Sequence, residues 1–166
     1  MLLTGKNAVV TGGGTGIGLA IARELAAHGC KVAITGRRLG VLEAVCEPFG
    51  GLSVKMDVSE EISVINGMQH ITNKLGSIDI CVANAGIAEG QNIHSSSFNF
   101  WRKIMAINLD GAYLTIRESL RHMPIKDWGR VIAISSIAGV RGLKGAHAYS
   151  ASKHGVIGMI RALSAD

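Results

Sequence analysis

Apolar residues along this chain follow two alternating patterns. Short runs rich in β-branched residues are succeeded by longer segments in which apolar residues recur every three or four positions. The short runs predict five strands, at residues 8–11, 32–35, 52–56, 78–83 and 130–135. Because strands alternate with helical segments and are apolar almost throughout, we expect βαβ units and a parallel sheet covered on both faces.

The segments between these runs predict helices. Apolar stripes run through Ile17, Ile21 and Leu25 in the first helix, and through Val64, Met68, Ile71 and Leu75 in a later one. Gly29 closes the first stripe, and Ser59 is a plausible N-cap before the later one. A long helix follows over residues 101–123, ended by Pro124 and apolar around much of its circumference, and a last helix covers residues 149–166. Right-handed crossovers then give an open, doubly wound α/β sheet.

The composition indicates one globular domain over residues 1–166. The chain has 166 residues, of which 48% are hydrophobic, enough to bury a single core. It has no apolar stretch of membrane-spanning length and no export signal at its N-terminus, which favours a cytoplasmic protein outside the membrane. Its three cysteines are widely spaced and form no metal-binding pattern, as is typical of buried thiols in a reducing compartment.

The formal net charge of +5 raises the question of nucleic-acid binding. Lys and Arg are scattered, however, and aromatic residues make up only 4% of the chain, so the basic patches and stacking platforms of such proteins are missing. We therefore expect no nucleic-acid partner. Affinity for an anionic small molecule explains the charge equally well.

A glycine-rich segment, Thr11 to Gly18, follows the first strand and opens the first helix. Glycines allow positive φ and a close approach of the backbone to a pyrophosphate, whose charge the N–H groups of a helix N-terminus favour. A tight turn alone would not require five glycines in seven residues. The segment therefore predicts a dinucleotide site, with contacts expected from Gly12, Thr15, Gly16, Ile17 and Gly18.

The residues after the second and third strands bear on which dinucleotide is bound. Arg37 lies where NAD-binding sites carry an acidic residue, and a guanidinium would pair with a 2′-phosphate. This favours NADP(H) over NAD(H), which remains possible; the alternative is that Arg37 and Arg38 are solvated residues at a helix start. Asp57 and Val58 end the third strand, where the adenine should lie, although Asp57 could equally be a helix-start carboxylate.

Further polar segments follow the other strands. Asn84, Ala85 and Gly86 come after the fourth strand, and Ser135 and Ser136 end the fifth. Ligands in open α/β sheets gather outside the carboxyl ends of the strands. These segments should therefore meet the glycine turn at one edge of the sheet.

Four residues form a candidate catalytic set. Tyr149 and Lys153 are four positions apart on one helix face, and an ammonium beside a phenol favours the phenolate, so that the tyrosine can act as general acid or base. Ser136 can orient or polarise a carbonyl. Asn108 lies on a covered stripe, where its amide needs partners. It is either a satisfied core residue or the holder of a water in a proton relay.

Together these motifs resemble those of the short-chain dehydrogenases/reductases of single-domain type. The resemblance runs from Lys6 to the last residue and rests on TGGGTGIG at 11–18, DV at 57–58, NAG at 84–86, Asn108, ISSIAG at 134–139 and YSASK at 149–153. It implies a Rossmann fold and hydride transfer between nicotinamide C4 and the carbon of a carbonyl or secondary alcohol.

The resemblance also implies a role for each of the four residues. Tyr149 would be the general acid/base, Lys153 would bind the nicotinamide ribose, and Ser136 would steady the substrate oxygen. Asn108 would complete a relay to solvent, and the backbone at 84–86 would pass close to the cofactor. The helix at 101–123 resembles the family's subunit-contact helix, which implies a homodimer or homotetramer.

The chain departs from the family pattern in two places. Alanine at position 83 replaces an asparagine that ties neighbouring strands together, for which we expect a small loss of stability. Relatives also continue past the helix that carries Tyr149 and Lys153, through further strands and a segment that closes over the nicotinamide. The chain is thus expected to be a fragment truncated after that helix, with an exposed fifth strand. The alternative function is a fragment that binds nucleotide but is catalytically incompetent, or a redox-sensing or scaffold protein that binds nucleotide without catalysis.

Overall fold

A single sheet of five parallel strands organises the protein. The computed structural model describes residues 2–124 and 128–165, and its strands are β1 (Asn7–Thr11), β2 (Lys31–Gly36), β3 (Leu52–Lys55), β4 (Ile80–Ala83) and β5 (Arg130–Ala133). Their order in the sheet is β3-β2-β1-β4-β5. Successive strands are therefore added on one side of β1 up to β3 and on its other side from β4 onward. Sheets of this kind bind dinucleotides at this switch point between β1 and β4. The predicted doubly wound, Rossmann-type fold is confirmed.

Six α-helices cover the described part of the sheet. They are α1 (Gly16–Ala27), α2 (Leu39–Cys46), α3 (Glu61–Leu75), α4 (Phe98–Met105), α5 (Gly111–Arg121) and α6 (His147–Leu163). A π-helical turn, Ala106–Asp110, joins α4 to α5 without a break. Short 3₁₀ turns occupy Glu47–Phe49, Ile93–Ser95 and Ile137–Gly139.

Successive residues of each strand are buried against opposite layers of helices. Val9 of β1 packs in a core that includes Val64 and Ile116, whereas its neighbour Val10 packs in a second core that includes Ala22 and Leu42. The central strands β1, β2 and β4 are buried on both faces, so in them an apolar side chain is favoured at every position and not only at alternate ones. This explains the unbroken apolar runs seen in the sequence.

The long helix predicted at residues 101–123 differs from the structure in its bounds and its regularity. The helical segment begins at Phe98, because the Ser97 hydroxyl accepts a hydrogen bond from the Phe100 N–H at 3.1 Å, and it ends at Arg121. The π turn within it also lay outside the prediction. Such wide turns occur mostly at functional sites, because they shift the register of the side chains that follow.

The expected N-cap at Ser59 is wrong. Glu60 occupies the N-cap position of α3, while the N–H and hydroxyl of Ser59 both donate to the Asp57 carboxylate, at 3.0 and 2.7 Å. A two-residue turn to Asp57 thus competes with capping for the serine hydroxyl.

Smaller differences concern the other ends of elements. β5 stops at Ala133 and not at residue 135, β4 starts at Ile80, and β3 ends at Lys55. The bounds of α2 were not predicted, because a helix of eight residues is too short to show a clear apolar periodicity in the sequence. α6 is described to Leu163, and Asp166, to which the prediction extended, lies outside the described residues.

β5 is the last strand in the sheet order, and Ile132 within it is 45% exposed. This agrees with the exposed strand expected from the sequence. None of the described helices combines the length and apolarity needed to cross a membrane.

The three cysteines, Cys30, Cys46 and Cys81, are free and buried. Burial raises the pKa of Cys30 to about 11 and that of Cys81 to about 12, and it also raises the pKa of Cys46.

Because the thiolate is the reactive form, we predict that DTNB labels none of the three cysteines rapidly in the native protein at pH 8, whereas all three react after denaturation. Rapid stoichiometric labelling of the native protein would contradict this burial.

Candidate active site

The glycine turn between β1 and α1 is shaped by close packing as well as by backbone conformation. Gly12 has a φ of +66°, and a Cβ there would meet the Ala85 Cα at 3.0 Å. A Cβ at Gly13 would lie 2.6 Å from the Ile34 Cβ, and one at Gly18 would collide with the Gly12 carbonyl oxygen. These glycines bring β1, α1 and the segment after β4 into direct backbone contact.

The start of α1 leaves donors free for an anion. Thr15 is the N-cap residue, but its side chain makes no capping hydrogen bond. Gly16 follows with a φ of +52° and has open space around its Cα. The first N–H groups of α1 are therefore not capped by Thr15, and they lie at the positive end of the helix dipole, which suits a phosphate.

Asn84 and Thr11 hold the turn against the end of β4. The Asn84 side-chain amide donates to the Thr11 carbonyl oxygen at 2.9 Å, and the N–H groups of Asn84 and Ala85 both donate to the Thr11 hydroxyl at 3.1 Å. Ala83 replaces the asparagine that ties neighbouring strands together in the family, so we expected that tie to be lost. Asn84 and Thr11 make such a tie in this protein, and Ala83 is simply buried in the core.

A cavity opens beside this turn at the carboxyl ends of the strands. Among its lining residues are Gly12, Thr15, Arg37, Asp57, Val58, Ala85 and Gly86, all predicted from the sequence, together with Thr35, Arg38, Ile87 and Ile107. Arg37 and Arg38 are exposed at its rim, and neither guanidinium has a hydrogen-bond or ion-pair partner within the described residues. The remaining predicted cofactor contacts, Gly16, Ile17, Gly18 and Asn84, lie in or behind the turn that borders this cavity. Its shape and donors therefore fit a dinucleotide.

Asp57 organises the turn before α3 and also lines the cavity, while its expected contact with the adenine stays a prediction. Its carboxylate organises the turn before α3 through Ser59, while its backbone N–H donates to the Ser63 hydroxyl at 2.9 Å. It also lines the cavity next to Val58.

Asn108 is fully buried in the π turn, and its amide is satisfied by protein groups. Its oxygen accepts from the Ile87 N–H at 2.8 Å, and its nitrogen donates to the Ile87 carbonyl at 2.9 Å and to the Ser152 hydroxyl at 3.2 Å. Ser152 in turn donates to the Tyr149 carbonyl at 2.7 Å. Asn108 thus joins the segment after β4 to the first turn of α6.

Lys153 lies one helical turn after Tyr149 and is buried. Its ammonium donates to the Ile134 carbonyl at 2.7 Å and lies 5.9 Å from the centre of the Tyr149 ring. Burial lowers the pKa of Lys153, because the charged form loses hydration. The structure therefore brings the predicted tyrosine and lysine together.

Gly86 connects this pair to the cavity. A Cβ built at Gly86 would lie 3.2 Å from the Asn108 side-chain oxygen and 3.6 Å from the Lys153 ammonium. A side chain at position 86 would thus crowd the Asn108 amide where the cavity lining meets Asn108 and Lys153.

Ser136 lies at the start of the 3₁₀ turn Ile137–Gly139, where its hydroxyl accepts from the Ala138 N–H at 3.1 Å. The turn packs against α6, because the Ser135 hydroxyl donates to the Lys153 carbonyl at 3.1 Å. Ser136 is therefore fixed beside the helix that carries Tyr149 and Lys153.

Comparison with known proteins agrees with this geometry. The family model of the short chain dehydrogenases matches residues 6–166. The chain belongs to the short chain dehydrogenase family. The prediction made from the sequence motifs is confirmed.

Relatives of this short chain dehydrogenase include several oxidoreductases. It is 37% identical to the 3-oxoacyl-acyl-carrier-protein reductase FabG of Aquifex aeolicus, over 99% of this chain and 68% of the relative. It is also 37% identical to the NADP-dependent (R)-specific alcohol dehydrogenase of Lentilactobacillus kefiri, over 99% and 67%. The crystal structure of gox2181 superimposes with a TM-score of 0.94 at 33% identity, over 98% of this chain and 66% of that one. The chain thus spans about two thirds of the length of the relatives it matches.

Sequence reasoning missed several residues that hold this site. Ser152 and Ser135 anchor α6 through their hydroxyls, and Thr11 anchors the segment after β4. Ser152 is three positions after Tyr149 on a buried stripe of α6, so a small polar residue at that spacing was the available signal. Ser135 and Thr11 belong to segments that were expected at this edge of the sheet, but their anchoring bonds had no signal in the sequence, because hydroxyl residues are common at strand ends.

Replacing Asn108 by alanine should destabilise this short chain dehydrogenase. The change leaves the N–H and carbonyl of Ile87 without partners, and we expect a loss of about 1–3 kcal/mol in the free energy of unfolding. Urea denaturation measures it, with Asn99→Ala on the exposed side of α4 as the matched control. Equal losses in the two variants would contradict the importance of the buried amide.

Proposed function

We propose that the protein is an oxidoreductase that transfers a hydride between NADP(H) and a carbonyl or secondary alcohol, with Tyr149 as the general acid/base. The observation that carries this proposal is the close approach at Gly86, where the cavity lining meets Asn108 and Lys153. A cavity suited to a dinucleotide and a tyrosine–lysine pair suited to proton transfer thereby share one edge of the sheet.

The dinucleotide would lie along the glycine turn. The N–H groups at the start of α1 would hold the pyrophosphate, and Asp57 and Val58 would border the adenine. The backbone of Ala85 and Gly86 would run beside the nicotinamide half, near the Lys153 ammonium. When bound, the cofactor supplies or accepts the hydride; the protein supplies orientation and the proton.

Tyr149 would donate a proton to the carbonyl oxygen during reduction and accept one from the alcohol hydroxyl during oxidation. The Lys153 ammonium lies 5.9 Å from the centre of the Tyr149 ring, and its bond to the Ile134 carbonyl fixes its position. The Ser136 hydroxyl would donate to the same substrate oxygen and steady it. Asn108 would contribute by fixing Ile87 and, through Ser152, the start of α6. A relay of protons through Asn108 to solvent stays a prediction.

The substrate would approach through a groove that Tyr149 lines. One wall is formed by residues 88–92 and the other by residues 143–146. The groove is open to solvent and carries both apolar and polar side chains, which suits a small or medium carbonyl compound. Two relatives named above are a 3-oxoacyl reductase and an alcohol dehydrogenase, which supports carbonyl or alcohol chemistry.

We further propose a cytoplasmic homo-oligomer. Three unpaired thiols are consistent with a reducing compartment. On α5, Tyr113 is 49% and Leu120 45% exposed, so this helix offers apolar surface for a second copy of the chain.

Tyr149→Phe tests the mechanism in the full-length protein. Removing the hydroxyl should lower kcat by about 10²–10⁴-fold, because general acid/base catalysis is lost, while NADPH affinity is retained. Rates with acetophenone and ethyl acetoacetate are followed by NADPH absorbance, and NADPH binding by its fluorescence. Tyr113→Phe, at the chain's other tyrosine, is the matched control.

Normal turnover by Tyr149→Phe would show the mechanism to be wrong. NADPH binding without turnover of any carbonyl in a broad panel would instead favour the nucleotide-sensing alternative.

Arg37→Asp tests the cofactor preference. The guanidinium of Arg37 at the cavity rim has no partner among the described residues and should bind the 2′-phosphate, so the wild type should bind NADPH more tightly than NADH. The substitution should weaken NADPH binding by about ten- to hundredfold and reverse the preference, as measured by fluorescence titration. Arg23→Asp on α1 makes the same charge change at an exposed site and should leave the preference unaltered. A wild-type preference for NADH would overturn the assignment.

A further inference from the structure

One wall of the groove beside Tyr149 is formed by residues 88–92, which begin an extended surface segment at residues 88–97. Apart from the short 3₁₀ turn Ile93–Ser95 it has no regular structure, and every residue from 88 to 99 is exposed except Ser96, which is half-buried. Such a segment needs specific ties to keep a fixed position relative to the rest of the site. The ties that it makes therefore decide the shape of the groove.

Besides Ser97, which caps α4 through the Phe100 N–H, three contacts fix this segment. Glu89 pairs with Lys103 of α4 at 2.7 Å, and the Gln91 N–H donates to the Gly145 carbonyl at 2.9 Å. The third contact joins the Ser96 hydroxyl to the His147 ring, with 3.1 Å between Oγ and Nε2. The Glu89–Lys103 pair is about half exposed on both sides, so solvent screens it and it holds the wall weakly.

The histidine of the third contact is itself held in place. His147 is the first residue of α6, two positions before Tyr149, and its ring packs edge-on against Phe100 with 6.0 Å between centroids. Phe100 belongs to a small core cluster with Ile104 and Ala148. Because this packing restricts the imidazole, its bond to Ser96 holds the far end of the segment 88–97 at the start of α6.

We propose that Ser96 and His147 form a clasp that holds the segment 88–97, and with it the groove wall at residues 88–92, against α6 and so sets the affinity for the carbonyl substrate. The inference rests on the function proposed above, since the groove is taken as the substrate's. The clasp acts on the wall and not on the reacting groups, because α6 is anchored separately. The Ser152 hydroxyl accepts from the Asn108 amide, and the Lys153 ammonium donates to the Ile134 carbonyl. Ser96 and His147 are therefore positioning residues for substrate binding.

The clasp predicts a specific pattern in the full-length protein. Ser96→Ala and His147→Phe each remove the hydrogen bond, and the phenylalanine keeps the ring contact with Phe100. In both, KM for ethyl acetoacetate should rise about three- to tenfold, as expected for one hydrogen bond, with kcat and NADPH affinity unchanged. The double variant should show no further rise, because both changes break the same contact. Ser96→Thr, which keeps a hydroxyl, should restore the wild-type KM.

A second measurement does not depend on turnover. Amide hydrogen exchange across residues 88–97 should be faster in Ser96→Ala and His147→Phe than in the wild type, and unchanged around α1. Ser95→Ala is the matched control, because the Ser95 hydroxyl bonds only within the segment, to the Asn92 carbonyl. Unchanged exchange in both clasp variants, or a fall in kcat with KM unaltered, would overturn the proposal. Failure of the catalytic mechanism would appear separately, as normal turnover by Tyr149→Phe.

Discussion

The buried amide of Asn108 is the interaction on which the site depends. The amide bonds both the N–H and the carbonyl of Ile87 and donates to the Ser152 hydroxyl. It therefore connects the segment after β4, the π turn and α6, which are distant in the sequence. A polar group in this position is costly unless all its bonds are made, and here they are made with well-fixed partners. The position of the segment after β4 relative to α6 follows from this one residue.

The opposite side of the same segment is fixed in a similar way. Thr11 and Asn84 bond the end of β4 to the glycine turn, and the missing side chains at Gly12 and Gly18 let the backbones touch. The segment from Asn84 to Ile87 is thus held between the dinucleotide cavity on one side and the tyrosine–lysine pair on the other. A reaction between two bound molecules requires such rigid support, because small errors in their orientation lower the rate strongly.

Much of this arrangement could be read from the sequence. The strands and most helices follow from apolar periodicity, because a sheet buried on both faces needs apolar residues at every position. The glycine turn, Arg37, Asn108, Ser136 and the pair Tyr149 and Lys153 stood out by residue type and spacing. The N-cap of α3 could not be assigned, because Ser59 has a nearer partner in Asp57, and the π turn leaves no periodic signature.

The sequence by itself determined the doubly wound fold, the carboxyl edge as the place of the site and the residue types that gather there. These depend on local patterns and on the fixed handedness of crossovers. Only the tertiary structure decided which groups satisfy one another: Asn108 with Ile87, Lys153 with the carbonyl of Ile134, and Ser96 with His147. Those pairings join residues far apart in the chain, and they exist because packing brings backbone carbonyls and hydroxyls, which carry no sequence signal, within bonding distance.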